Sequence, residues 1–317
     1  MKKNNMLVSL LKLVTVTTAG IYGFNKFISY CAGKNNSLKD NSGEVYLWKH
    51  GKLFYTVQGE GEPLLLIHDL SHFGSGKEWQ SVIEALSQNR KVYTHDLLGC
   101  GRSDKPAITY TNYLFVQMIT YFVKDVIKQK TDIIISGEAC PIAITTSANN
   151  SDILGKILMV NPPSVSNTDI IPNTNTRITK RIIELPIIGT FAFNVLNSKS
   201  NCFEKSIEEY FTKDDYTSYT YSQTMYDASH KGRVGSKYIL ASIIGLYTNL
   251  SIRRPLTSIE NEVYIIGGSF EPNIEEIICS YRAIKSNVNS TIIEGAKHYP
   301  HLETPEDFIN SIEKYLY

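Results

Sequence analysis

An excess of charge of either sign is missing from this chain. Among 317 residues the formal net charge is +1, which excludes the strongly basic surface that a nucleic acid or other polyanion would need. Its five cysteines, Cys31, Cys100, Cys140, Cys202 and Cys279, are widely scattered and odd in number. They make no metal-ligand spacing and no disulfide framework, so the sequence calls for no metal and no cofactor, and reads as free, mostly buried thiols. There is no internal repeat and no low-complexity segment. What remains is ordinary globular composition, with 42% hydrophobic residues, enough for a large core.

A long clean apolar run is missing too. Lys2 and Lys3 precede a largely apolar stretch from Met6 to Tyr30, but Lys12, Asn25 and Lys26 interrupt it. The clean part, Leu13 to Phe24, is shorter than the ~20 residues that span a bilayer. Lysines near an end can snorkel, so residues 6–30 could insert or lie in the interface. A helix packed on the domain and a cleaved signal are the other readings. Asn35 to Gly43 reads as a polar linker. Residues 1–43 are therefore set apart as an apolar segment and linker, with membrane association as the expected localisation and a cytoplasmic protein as the alternative.

From Val45 onward strands and helices alternate. Val45–His50 and Lys52–Gln58 predict a hairpin, Pro63–Ile67 a buried parallel strand, and Lys77–Ser87 a helix. Strands follow at Lys91–Asp96, Thr131–Ser136 and Lys156–Asn161, with helices at Asn112–Gln129 and Pro141–Asn149. Between residues 164 and 259 the pattern becomes helical and aromatic, with helices predicted at Ile178–Leu196, Phe203–Thr212 and Lys237–Tyr247. Alternation then resumes through Glu262–Ile266, Ile274–Lys285, Ser290–Glu294 and Pro305–Leu316. The pattern predicts an α/β fold. A doubly wound, mostly parallel sheet would form from residues 44–163 and 260–317, with a helical cap, 164–259, inserted over the strand ends.

Four segments carry a resemblance. They are Leu64-Leu65-Leu66-Ile67-His68-Asp69, the loop Asp96-Leu97-Leu98-Gly99-Cys100-Gly101-Arg102-Ser103-Asp104, the turn Ile265-Ile266-Gly267-Gly268-Ser269-Phe270-Glu271-Pro272, and Gly295-Ala296-Lys297-His298-Tyr299-Pro300 continuing to Glu306. In order and spacing they resemble the α/β-hydrolase fold family, in its capped epoxide-hydrolase, dehalogenase and esterase-like branch. The resemblance covers roughly Lys52 to Tyr317 outside the cap. It implies His298 as the base, Glu271 as the acid that orients it, and the backbone N–H groups of Leu70 and Cys140 as oxyanion donors.

The nucleophile elbow of that family, G-x-S-x-G, aligns with Gly137-Glu138-Ala139-Cys140-Pro141. The resemblance thus places the nucleophile position at Ala139, whose methyl group cannot attack a carbonyl. Asp69 and Pro141 stand where the family carries glycines. Cys140 lies one residue beyond the expected apex and reads first as a buried packing thiol. His68 and the Gly99–Asp104 loop read as architectural. The cap aromatics Phe191, Phe193, Tyr210 and Phe211 either line an apolar cavity or pack the cap's own core.

The resulting expectation is a hydrolase-family protein, degenerate for lack of its serine, that binds a small apolar molecule under the cap. Whether it is an enzyme is left open. One alternative is an active enzyme using the His298–Glu271 dyad or Cys140. Another is a membrane-tethered interaction scaffold. A serine at residue 139 is expected to face His298 and restore a triad.

Overall fold

The computed structural model describes residues 2–34, 37–39, 42–232 and 234–316, with side chains from residue 12 onward. Eight strands form one sheet: β1 (Glu44–Trp48), β2 (Gly51–Gln58), β3 (Pro63–Ile67), β4 (Lys91–His95), β5 (Thr131–Ser136), β6 (Leu154–Val160), β7 (Val263–Gly268) and β8 (Asn289–Ile293). Their spatial order is β1-β2-β4-β3-β5-β6-β7-β8. β1 and β2 pair antiparallel, as do β2 and β4; every later pairing is parallel.

The apolar runs become central strands because both of their faces are covered. All five residues of β3 are buried. Leu65 and Ile67 face one apolar cluster and Leu64 and Leu66 the other, which is the period-2 alternation of a strand. The first cluster contains helix residues such as Phe115, Ile119 and Ile142. The second takes Trp79, Val82, Phe308 and Ile312. Fully burying a side chain such as Phe308 stabilises by about 1.5–3 kcal/mol.

The first helix, α1, spans Lys2–Lys34. In the core, the stretch predicted as one helix at Lys77–Ser87 is a short 3-10 turn followed by α2 (Ile83–Leu86). Next come α3 (Asn112–Phe122) and α4 (Cys140–Asn149). The cap between β6 and β7 holds α5 (Val165–Thr168), α6 (Thr174–Glu184), α7 (Ile188–Leu196), α8 (Lys199–Lys205), α9 (Tyr216–His230), α10 (Ser236–Ile244) and α11 (Arg253–Ser258). After β7 the core closes with α12 (Ile274–Arg282), α13 (Pro300–Glu303) and α14 (Pro305–Leu316).

Two differences from the sequence reading have clear causes. The helix predicted at Ile178–Leu196 is two helices, because Leu185 precedes Pro186 and is extended (φ −55°, ψ 140°). The helix α9 had no apolar period to announce it. Its buried side chains include Ser218, Ser222, Asp227, Ser229 and His230, and a capping box at Asp215 starts it.

The N-terminal segment is docked rather than set apart. Asn25 Nδ2 donates to the Ile187 carbonyl (3.1 Å), and Asn194 Nδ2 donates to Asn25 Oδ1 (3.0 Å). The Phe24 and Phe191 rings meet edge to face at 5.5 Å. Of the expected linker, residues 35, 36, 40 and 41 lie outside the described residues, but Ser37–Lys39 is ordered on the cap. Leu38 is fully buried there, Ser37 N–H donates to Asp227 (2.7 Å), and Lys231 Nζ donates to the Leu38 carbonyl (2.7 Å). Among the described residues no helix is long and apolar enough to cross a membrane.

Candidate functional site

The strand-to-helix turn after β5 decides the site. β5 ends at Ser136, residues Gly137–Ala139 make one 3-10 turn, and α4 begins at Cys140. The left-handed residue of this turn is Gly137, with φ +54°. Ala139 is already helical (φ −79°, ψ −20°) and fully buried. The apex is therefore two residues earlier than the sequence alignment placed it, and Ala139 is not the vacant position. Pro141 explains the shift. Proline belongs in a first helical turn, which fixes the start of α4 and pushes the apex back to Gly137.

The oxyanion assignment moves with the apex. Cys140 N–H is taken by the Gly137 carbonyl inside the 3-10 turn, so it is not a free donor. The N–H that follows the apex belongs to Glu138, and it donates to Asp69 Oδ1 at 2.8 Å. Leu70 lines the cavity beneath the cap beside it. A Cβ on Gly137 would stand 2.5 Å from the Asp69 carboxyl carbon. The Asp69 carboxylate thus fills the space beside Gly137 and takes the N–H that follows it.

His298 and Glu271 lie side by side. His298 Nδ1 lies 3.1 Å from Glu271 Oε1. On its other side Nε2 faces Asp69 Oδ2 at 3.9 Å, an ion-pair contact longer than a hydrogen bond. Burial alone would push the His298 pKa down. The carboxylates of Asp69 and Glu271 outweigh burial and lift it to about 10. Burial likewise opposes the charge on Asp69, but His298 and the Glu138 N–H hold its pKa below the usual carboxylate range. The His298 ring thus stands between two carboxylates, hydrogen-bonded to Glu271 and in ion-pair range of Asp69.

Two cavities meet here. One of about 400 Å³ lies under the cap and is lined by Asp69, Leu70, Phe73, Tyr210, Met225 and Leu240, among others. The other, about 500 Å³, touches Gly137, Asn161, Glu271 and His298. Glu138 lines both. Glu138 is itself exposed where the two cavities adjoin. Desolvation, and then the Asp69 charge, lift its pKa to about 7.

The remaining expectations sort by contact. Cys140 is fully buried and donates its thiol hydrogen to the Ile135 carbonyl (3.3 Å); burial pushes its pKa well above the usual thiol range. That geometry opposes a nucleophilic Cys140. His68 Nε2 accepts from Leu97 N–H (3.0 Å), and Asp96 pairs with Arg102 at 2.9 Å, both within the architecture of the turn. Of the four cap aromatics, Tyr210 lines the cavity under the cap, whereas Phe193 and Phe211 are buried in packing.

Sequence reasoning missed three positioning residues. Asn161 is left-handed (φ 43°), and its Nδ2 donates to the carbonyls of Lys297 and His298 at 2.8 Å each. Buried Glu78 accepts the Asp69 N–H at 3.0 Å. Glu303 accepts from Lys297 N–H and from Thr212 N–H, both at 2.7 Å, while His298 N–H donates to the Tyr210 carbonyl at 3.2 Å. The cap segment 210–212 and the histidine loop are thereby stitched together. An asparagine directly after the β6 apolar run was the one available signal.

Residues 64–311 match a family model described as "Alpha/beta hydrolase family". The chain belongs to the α/β-hydrolase family. This α/β-hydrolase is 35% identical over 74 residues to 2-hydroxy-6-oxo-6-(2'-aminophenyl)hexa-2,4-dienoic acid hydrolase of Metapseudomonas resinovorans, across 22% of this chain and 24% of that protein. The match thus spans about a quarter of that relative. Among solved structures it is similar to an epoxide hydrolase, CorEH, with a TM-score of 0.70 and 18% identity over 86% of this chain and 98% of that one. It is also similar to a membrane phospholipase A described as a bacterial virulence factor, with a TM-score of 0.65 and 16% identity over 100% and 98% of the two chains. At such identities the likeness is one of fold.

Proposed function

We propose that this α/β-hydrolase has given up the covalent serine mechanism and retains the cavity under its cap for a small, largely apolar ligand. One observation carries the reading: the Asp69 carboxylate stands against Gly137 and accepts the Glu138 N–H. A nucleophile, its activating base and its oxyanion donor are each needed for acyl transfer. Here Gly137 offers no side chain, the histidine is flanked by two carboxylates and the N–H after Gly137 is taken. The walls of the cavity, including Phe73, Met225, Leu240 and Ile243, suit an apolar body. The test pairs two measurements on the wild-type protein. Fluorophosphonate labelling and turnover of short-chain esters are expected to be absent. Binding of an environment-sensitive apolar dye is expected, and Met225→Trp, which fills the cavity, is expected to abolish it. Labelling of the wild type would overturn the first half, and dye binding unaffected by Met225→Trp the second.

A second reading, a non-covalent acid–base enzyme, draws on Glu138. A carboxyl near pKa 7 between two cavities is poised for proton transfer at neutral pH. It would act as base while His298, held protonated, acts as acid; Cys140 has no part in it. Its signature would be a turnover whose pH profile bends near 7 and which Glu138→Gln removes. Open cavities on both sides of Glu138 weigh against a third reading in which the fold is only a tethered scaffold.

A further inference from the structure

The N-terminal residues carry a charge pattern that the whole-chain value hides. Residues 1–39 contain Lys2, Lys3, Lys12, Lys26, Lys34 and Lys39, and no Asp or Glu. The rest of the chain is therefore net negative. Every residue from 12 to 20 is exposed, including Leu13 (65%) and Val16 (69%). Farther along α1, Asn25 and Ala32 face the cap, while Tyr22, Phe27 and Tyr30 remain exposed. Lys26 Nζ lies 5.4 Å from the centre of the Tyr22 ring, and Lys34 Nζ 4.8 Å from that of Tyr30. Tyrosine rings with lysines beside them suit headgroup depth, where the ring is half immersed and the ammonium meets phosphate.

The cap continues this surface. On α6 the buried side is Lys180 and Ile183, whereas Ile178, Ile182 and Leu185 form an exposed i, i+4, i+7 stripe flanked by exposed Arg177 and Arg181. Ile188 extends it onto α7. The two faces join at the α6–α7 turn. There Pro186 lines a groove of about 680 Å³ with Tyr22, Lys26 and Tyr30, and the Ile187 carbonyl accepts from Asn25. Isoleucines on the outer face of a charged helix invert the usual order, and adjoining exposed apolar residues of this kind mark an interaction site.

We propose that α1 and the α6–α7 corner form one docking surface for an anionic phospholipid bilayer, with α1 lying in the interfacial plane. Three observations favour this occupant. Lysines in a segment that has no acidic residue of its own complement anionic headgroups, each contributing about fivefold near such a surface. A second copy would instead set against each other two segments whose charged side chains are all lysine, with like charges opposed. Lys12 in mid-helix, and the lack of any described helix apolar enough to cross, suit a helix that lies flat.

The test is flotation of the full-length protein with vesicles of phosphatidylcholine, with and without phosphatidylserine. Binding is expected to be about tenfold or more stronger with phosphatidylserine and to fall as salt is raised. Ile178→Glu with Ile182→Glu is expected to weaken binding by about tenfold, since it sets carboxylates against anionic headgroups while α1 is untouched. Both side chains are exposed, and an unchanged melting curve would confirm that the variant is folded. Failure to float with either vesicle, or equal flotation with both, would overturn the proposal. So would a folded variant that binds like the wild type. Self-association without vesicles that the variant abolishes would make a second copy the occupant instead.

Discussion

The Asp69 carboxylate accepts the backbone N–H of Glu138 at 2.8 Å, so a side chain from the turn after β3 closes the apex of the turn after β5. In a working site that N–H would be free for an oxyanion, and the residue before it would carry the nucleophile. On the function proposed above, the loss would be shared between two positions that touch, Asp69 and Gly137.

Ala139→Ser is therefore expected to stay inert to fluorophosphonate, because residue 139 lies buried inside the first turn of α4. Gly137→Ser alone is expected to destabilise the protein by about 1–3 kcal/mol, the usual range for a left-handed backbone combined with overpacking. Asp69→Gly with Gly137→Ser clears the space and supplies a hydroxyl next to His298. Labelling is expected in the double variant only, read by gel fluorescence and lost on adding His298→Ala. Labelling of Ala139→Ser would mean the apex is misassigned.

The ion contact around His298 makes stability depend on pH. The His298 pKa is raised in the fold, from 6.5 to about 10, so its contribution is complete below about pH 6.5 and is lost as pH climbs through 10. Asp69 is depressed from 3.8, so its contribution is present above that value and is lost as pH falls below it. Between pH 7 and 10 the Tm is expected to fall by on the order of 5 °C. Glu271→Gln should flatten that slope. A wild-type Tm that rises across this interval would contradict the assignment.

Thiol chemistry should split the five cysteines. Cys31 and Cys279 are exposed, whereas Cys100, Cys140 and Cys202 are buried. Burial also pushes the Cys140 and Cys202 thiols up, leaving little thiolate. Mass spectrometry after brief maleimide treatment of the native protein should find the first two modified. The other three should react only in denaturant. Rapid modification of Cys140 would reopen it as a nucleophile.

The α1 junction should contribute to cap stability. Leu38→Ala is expected to cost about 2–5 kcal/mol locally, because Leu38 is fully buried among cap residues. Deleting residues 1–39 should leave the sheet protected while hydrogen exchange quickens in α7 and α9. Unchanged exchange in both helices would mean that the docking contributes nothing.

The sheet was legible because apolar runs such as Pro63–Ile67 and Thr131–Ser136 admit one reading once turns bound them. His298 and Glu271 were legible because each sits in a segment with several fixed neighbours. The apex was not, since Gly137-Glu138-Ala139 satisfies a glycine-led motif whether the glycine precedes the apex or forms it. Only Pro141 separates the two, by setting where α4 starts. Asp69 stood out as a missing glycine. What it does instead depends on a contact across 69 positions of sequence, which no local pattern encodes. The docking of α1 was hidden for the same reason. Asn25 looked like an interruption of an apolar run, and is the residue that fastens the helix to Ile187 and Asn194.

The stitching of the 210–212 segment to the histidine loop fixes how a guest could come and go. Lifting that edge of the cap would break the Tyr210–His298 and Thr212–Glu303 bonds and drag the imidazole away from Glu271. Traffic on that side would dismantle the charge cluster each time. Exposed Leu196 ends α7 and also lines the cavity, and it takes no part in those bonds. A guest is thus expected to pass beside Leu196 rather than across the stitched edge.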